Sequence, residues 1–296
     1  MMPALQTQYK KKWSIGRVIM YSCLAAFSVF CLIPLVVVLS ASLSEEQALA
    51  TLGYSLLPHD FTWLAYEYVF KQPETILRAY GVTIFVTVVG TIASVIVNAL
   101  LAYPLSRKYF KLKGPLTFYV FFTMLFSGGL VPYYIVISQI FHLRDTLAVL
   151  IVPMLVTPFY ILLMRTFFSQ LPEEVMESAK LEGAGEYRLF FQLVLPLSTP
   201  VLATVGLFYS LSFWNEYMMA LLFIDNLNLR PLQLLLFNLI SSVESMKMLP
   251  MTTGAQLPAL TIRMATAIVA IGPIVFVYVF FQKYFVRGLT VGALKG

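Results

Sequence analysis

Six stretches of this chain run for nineteen residues or more without a single charged side chain: 18–44, 79–106, 114–141, 146–164, 189–215 and 264–282. A helix needs about 20 mostly apolar residues to cross the hydrocarbon core of a bilayer. The pattern therefore predicts six membrane-spanning helices, near 18–41, 80–103, 115–138, 146–168, 197–223 and 260–283. Composition agrees. Hydrophobic residues make up 59% of the 296 residues and charged ones only 11%, against roughly 25% charged in an ordinary soluble domain. One globular core of this size cannot hide that apolar surplus, so the expected fold class is an all-α integral membrane protein, residues 1–296 forming a single transmembrane domain.

The first stretch follows Lys10, Lys11, Lys12 and Arg17, the arrangement of a signal peptide. The apolar core of such a peptide is only about 7–15 residues long, so this stretch reads as a retained span. Cys23 and Cys31 both fall within it and suggest neither a disulfide framework nor metal-ligand spacing.

The formal charge of +6 is distributed as topology determinants are, in short clusters between apolar runs, and nucleic-acid binding is not expected. Fourteen of the 20 Lys and Arg residues fall in the N-terminal tail, after the second span (Arg107, Lys108, Lys111, Lys113), after the fourth (Arg165, Lys180, Arg188) and after the sixth (Lys283, Arg287, Lys295). The positive-inside rule then places the tails 1–17 and 284–296 in the cytoplasm. The loop 42–79 would lie outside, where Trp63, Tyr66, Tyr68 and Phe70 would cap the bundle or sit at the lipid interface.

The segment 169–196 is too well organised for a linker. Pro172 suits a first helical position, since its missing N–H would have no helical partner. Glu173 and Glu174 complement the helix dipole. Leu171, Val175, Ala179 and Leu181 can share an apolar face, and Gly183 is a natural C-terminal stop. A second short helix is expected from about Gly185 to Leu193, halted by Pro196. The segment carries five carboxylates against Lys180 and Arg188, whereas helices lying on membrane headgroups are typically basic. A docking surface for a cytoplasmic protein fits better.

Within it, Glu177-Ser178-Ala179, then Gly183-Ala184 and Leu193-x-Leu195-Pro196, resembles the EAA loop of binding-protein-dependent ABC importer permeases, with Ser178, Glu182 and Leu193 departing mildly from Ala, Asp and Ile. Trp214-Asn215-Glu216-Tyr217 and Phe285-Val286-Arg287-Gly288-Leu289-Thr290 resemble the MalG-like sugar-importer branch. Phe126-Ser127-Gly128-Gly129-Leu130-Val131-Pro132 is similar to a subset handling oligosaccharides, including acidic ones such as alginate or aldouronate fragments.

The resemblance implies the type I importer permease fold and an ATPase-coupling role for Glu177, Ala179, Glu182, Gly183, Ala184, Leu195 and Pro196. It implies a bacterial inner-membrane location, a second homologous permease, an ATP-binding cassette dimer and an external solute-binding protein as partners. ATP and Mg would bind the cassette dimer, since this chain has no G-x-x-x-x-G-K-[ST] sequence. No catalytic residue, metal site or cofactor is expected in the chain itself. Permeation of another solute is the first alternative. An ion-coupled carrier would need intramembrane ionisable groups and has only Glu216 to offer, while His59 and His142 are isolated and give a membrane enzyme little to work with.

Four residues are candidates for the translocation pathway. Glu216 is the one acid expected in a span, where a charge is costly, and it would line a cavity or pair with a neighbour; Asn215 adds polarity. Tyr133 and Tyr134 would stack on sugar or belong to the interfacial aromatic belt. Thr83, Thr87, Thr91 and Asn98 recur at helical spacing and suggest interhelical hydrogen bonds.

Overall fold

A computed structural model describes residues 15–248 and 258–275. Regular structure among them is helical, and the only strand pairing is an isolated bridge between Ser44 and Phe61. The expected tails 1–17 and 284–296 lie largely or wholly outside the described residues, as does the end of the sixth span. The described residues divide into two compact units, 15–69 with 258–268, and 70–248 with 269–275.

In the first unit, α1 (Ile15–Ser42) contains the first expected span and exposes its apolar side chains along most of its length. Two short helices follow, α2 (Glu46–Leu52) and α3 (Leu64–Val69). Of the loop aromatics, Tyr66 shares a hydrogen bond of 2.8 Å with Ser42 Oγ, and Trp63 packs edge-on against Phe61 and Tyr66. The Glu46 carboxylate accepts from the backbone N–H groups of Leu260 (2.9 and 3.0 Å) and Thr261 (2.9 Å). Both donors lie in the first turn of the helix Ala259–Val275, where N–H groups have no partner within the helix.

The second unit is built on α4 (Pro73–Ser106), which contains the whole second expected span. The next three spans are not straight rods. α5 (Lys113–Leu125) and α6 (Leu130–Ile140) meet at 112°, α7 (Leu147–Met154) and α8 (Pro158–Phe168) at 50°. The loop helix α9 (Glu173–Leu181) comes next; then α10 (Glu186–Leu197) and α11 (Thr199–Asn215) meet at 80°. α12 (Met218–Phe223) and α13 (Leu232–Met248) complete the unit's numbered helices.

The first two bends correct the uninterrupted helices expected at 115–138 and 146–168, and the helix expected at 197–223 is interrupted at residues 216–217, between α11 and α12. Charge-free length measures only whether a segment tolerates lipid, and broken backbone is tolerated at membrane depth where protein satisfies it. The break between α7 and α8 shows how. Asn98 of α4 is fully buried; its amide Nδ2 donates to Leu155 O at 2.7 Å, and its Oδ1 accepts the Thr157 N–H at 3.2 Å. One side chain thus serves both a carbonyl and an N–H freed by the interruption, and it also donates to Tyr209 Oη at 2.8 Å.

α4 packs along α11 and α8. At Gly90 a Cβ would stand 2.7 Å from the Phe213 ring, so only glycine allows the two helices this separation. Of the expected polar residues of α4, Asn98 and Thr83 make interhelical bonds, the latter accepting the Leu232 N–H at 2.8 Å. Thr87 and Thr91 leave their hydroxyls unpartnered among the described residues.

Candidate functional site

Pro172 has φ −55° and ψ 125°, so it caps α9 rather than opening it, and Glu173 and Glu174 occupy the first turn. At the other end Gly183 takes φ +86°. Its N–H donates to Lys180 O at 3.0 Å, and the Ala184 N–H donates to Ala179 O at 2.9 Å. This pair of bonds is the Schellman closure, which needs a left-handed residue at the first position past the helix. Gly183, Ala184 and Ala179 are therefore one geometric device, and Glu182 sits at its centre, exposed.

The buried side of α9 differs from the expected one. Leu171 and Ala179 are half-buried, but Val175 is exposed and Leu181 is 90% exposed, while Met176 is 5% exposed. Hydrophobicity counting missed this because the packed side is chosen by what lies opposite. There the Arg107 guanidinium hydrogen-bonds the Met176 sulfur and donates to Phe168 O at 3.0 Å. Glu177 projects outward with Leu181 and Tyr187, the last 80% exposed.

Two further contacts tie the loop to the end of α4, and a third closes within the loop. The Tyr103 hydroxyl donates to Glu186 Oε2 at 2.6 Å, and Lys180 Nζ lies 2.7 Å from the other oxygen of the same carboxylate. Lys108 pairs with Glu173 at 2.5 Å, which holds its ammonium above the ordinary lysine value. Arg107 also lies over the Tyr103 ring, 4.8 Å from its centroid. Tyr103, Arg107 and Glu186 were not singled out from sequence. Their only signal was that an aromatic and the first charge after the second span stand four residues apart.

Leu195 and Pro196 lie in α10, which runs two residues further than the halt expected at Pro196 and turns at Ser198. A wide π turn, Phe190–Val194, precedes the proline. It opens the ladder where the missing N–H and the ring of Pro196 would otherwise disrupt an α-helix.

The pathway candidates lie beyond the far end of α11 from this loop. Glu216 is half-buried at the break between α11 and α12, and its Oε1 accepts the Met219 N–H at 2.8 Å. It thus satisfies the start of α12. Tyr134 stacks on the buried Phe223 with ring centroids 5.2 Å apart, and Tyr133 meets the same ring edge-on at 6.3 Å. The Tyr133 hydroxyl also reaches Met219 Sδ at 3.5 Å. Tyr133, Tyr134 and Glu216 therefore converge on α12, whereas Asn215 is exposed and donates only to Leu211 O of its own helix. Just outside them, the Asp145 carboxylate accepts the backbone N–H groups of Asp225 and Asn226, and Arg144 pairs with Asp225 at 2.7 Å.

Comparison with known proteins gives a consistent picture. The chain is 37% identical over 280 residues to the polygalacturonan/rhamnogalacturonan transport system permease protein YtcP of Bacillus subtilis, covering 94% of this chain and 97% of that protein. It is 39% identical over 270 residues to the protein LplC of the same organism, covering 90% of each. Among solved structures it is similar to a chain of a bacterial ABC transporter that imports the acidic polysaccharide alginate, with a TM-score of 0.74, 26% identity and coverage of 92% of this chain and 99% of that one. The sequence pattern of the binding-protein-dependent transport system inner membrane component matches residues 4–291. With its α-helical permease fold and its EAA-type loop, the chain belongs to that family, the permeases of binding-protein-dependent ABC importers.

Proposed function

We propose that this chain is one of two permease subunits of an ATP-driven oligosaccharide importer, that it encloses half the translocation pathway, and that acidic oligosaccharides of the uronate class are its cargo. The observation that carries the coupling role is the loop itself. It is braced on one side by Met176, Arg107, Tyr103 and Glu186, and it presents Glu177, Leu181, Glu182 and Tyr187 outward. A solvent-exposed leucine and tyrosine on a rigid acidic loop suit a groove in a cytoplasmic ATPase dimer, which would bind ATP and Mg. Both tails then lie in the cytoplasm of a bacterial cell, and a solute-binding protein delivers cargo to the opposite face.

The substrate class is supported by two of these proteins, the permease YtcP, named for polygalacturonan/rhamnogalacturonan transport, and the transporter involved in alginate import. Asn215 offers a free amide face to the pathway. Glu216, Tyr133 and Tyr134 shape its wall through α12. Closure of the ATPase dimer would move the loop and α4 together, switching the permease between two states as rigid bodies.

The test uses Leu181→Glu and Tyr187→Ala in the reconstituted complex, since both side chains are exposed and neither supports the fold. Hydrolysis stimulated by the binding protein and uptake of oligogalacturonate should fall together, about tenfold for one lost interface anchor. Unchanged stimulation would remove the docking role from this loop. Uptake that persists without ATP would favour an ion-coupled carrier instead.

A further inference from the structure

A groove of about 610 Å³ opens between α5 and α8, at the end of the second unit that carries the loop. Its polar mouth is formed by Lys108, Lys111, Lys113 and Arg165, with no acidic residue in the lining. Lys111, Lys113 and Arg165 make no ion pair among the described residues, and Arg165 spends one N–H on Leu105 O at 3.2 Å. The apolar wall is Phe118 and Phe121 of α5 with Leu162 of α8. Lys113, Thr117 and Phe121 recur at helical spacing, so cations and rings share one face of α5, cations at its first turn and rings deeper into the span. Thr117 lines the same groove, and its hydroxyl is buried without a hydrogen-bond partner among the described residues.

Four cations gathered at one end of an exposed apolar channel are poorly matched to a neutral bilayer, and poorly matched to the acid-free cavity they line. Basic pockets between spanning helices are suited to anionic lipid headgroups. We infer that this groove binds one anionic phospholipid, its phosphate held among Lys108, Lys111, Lys113 and Arg165 and an acyl chain laid along Phe118 and Phe121. Because Lys108 also pairs with Glu173 of α9 and Arg165 holds the last turn of α4, the bound lipid stiffens the junction on which the coupling loop rests.

The experiment is native mass spectrometry of the intact membrane complex, delipidated and then offered phosphatidylglycerol or phosphatidylcholine. Wild-type complex should retain phosphatidylglycerol in preference, and Lys111→Gln with Lys113→Gln should reduce that preference about thirtyfold for two lost cations. Gly114→Leu is the second variant. A Cβ there would meet no atom within 4 Å and Gly114 lines the groove, so a larger side chain should narrow the channel without disturbing the fold, and the lipid should be lost. Free inorganic phosphate at millimolar concentration should not displace the lipid. Equal retention of the two lipids, full retention in both variants, or displacement by phosphate alone would each overturn the assignment. So would an efficient cross-link from Phe121→Cys to another subunit, which would show that protein fills the groove.

Discussion

At the scale of single residues, buried polar groups here do structural work that their rarity suggests but does not specify. Asn98 is the clearest case, since the interrupted fourth span depends on it for one carbonyl and one N–H. Replacement by Leu should leave the Thr157 N–H unsatisfied, at a cost of about 1–3 kcal/mol, and leave Leu155 O with only the 3.3 Å bond from the Tyr209 hydroxyl. The expected result is a clear drop in the detergent-solubilised melting temperature, with Tyr209→Phe milder because Asn98 then still serves both Leu155 O and the Thr157 N–H. Equal stability of Asn98→Leu and wild type would mean the break is satisfied by other groups. Glu46 makes a related prediction in the first unit. Glu46→Ala strips the first turn of the helix Ala259–Val275 of its acceptor and should cost about 1 kcal/mol, as lost helix caps do, while Glu46→Gln retains an oxygen and loses less. Amide exchange at Leu260 and Thr261 reads the difference directly, because freed N–H groups exchange faster.

At the scale of elements, glycines decide two geometries for different reasons. Gly183 is needed for its backbone: φ is +86° and a Cβ would meet nothing, so Gly183→Ala should cost about 1 kcal/mol from the left-handed conformation alone. Gly183→Asn, which tolerates that region, should cost less, and the coupled ATPase rate should follow the same order. Gly90 is needed for its space. Gly90→Ala puts a methyl group 2.7 Å from the Phe213 ring, and overpacking of this kind costs about 1–3 kcal/mol; Phe213→Leu in the same chain should restore part of the loss. The first of these was legible in the sequence, since Gly183 follows a run of helix formers that needs a stop. The second was not, because the sequence does not say that residues 90 and 213 face each other. The spans divide in the same way. Apolar length located them, and the acidic, Pro-started, Gly-ended pattern located α9. The bends of 112° and 50° inside the spans escaped, and the second rests on Asn98, nearly sixty residues away in sequence. The inward side of α9 escaped too. Its anchor, Met176, is an ordinary apolar residue until Arg107 and Phe168 O are placed opposite it.

At the scale of the whole molecule, the proposed coupling role gives α4 a part beyond packing. Its 34 residues span roughly 50 Å at 1.5 Å per residue. One end holds Tyr103, which bonds Glu186 of the loop. Near the other end Thr83 accepts the Leu232 N–H, and Arg78 bonds Asn228. A displacement of the loop can therefore reach the opposite surface along one rigid helix without passing through the broken spans. The Tyr103–Glu186–Lys180 cluster is the joint in this lever. Removing it with Tyr103→Phe and Glu186→Gln eliminates a charge-assisted bond, worth up to about 1.5–3 kcal/mol when well shielded and less here, where the carboxylate is partly exposed. The exposed face of Leu181 and Tyr187 is untouched by these changes, so docking of an ATPase should survive. Basal hydrolysis should then persist or rise, while uptake per ATP falls severalfold. That split differs from the effect expected of Leu181→Glu, which should remove stimulated hydrolysis and uptake together. If the double variant imports at the wild-type ratio of cargo to ATP, force does not pass through Tyr103, and the remaining ties through Arg107 and Lys108 would have to carry it alone.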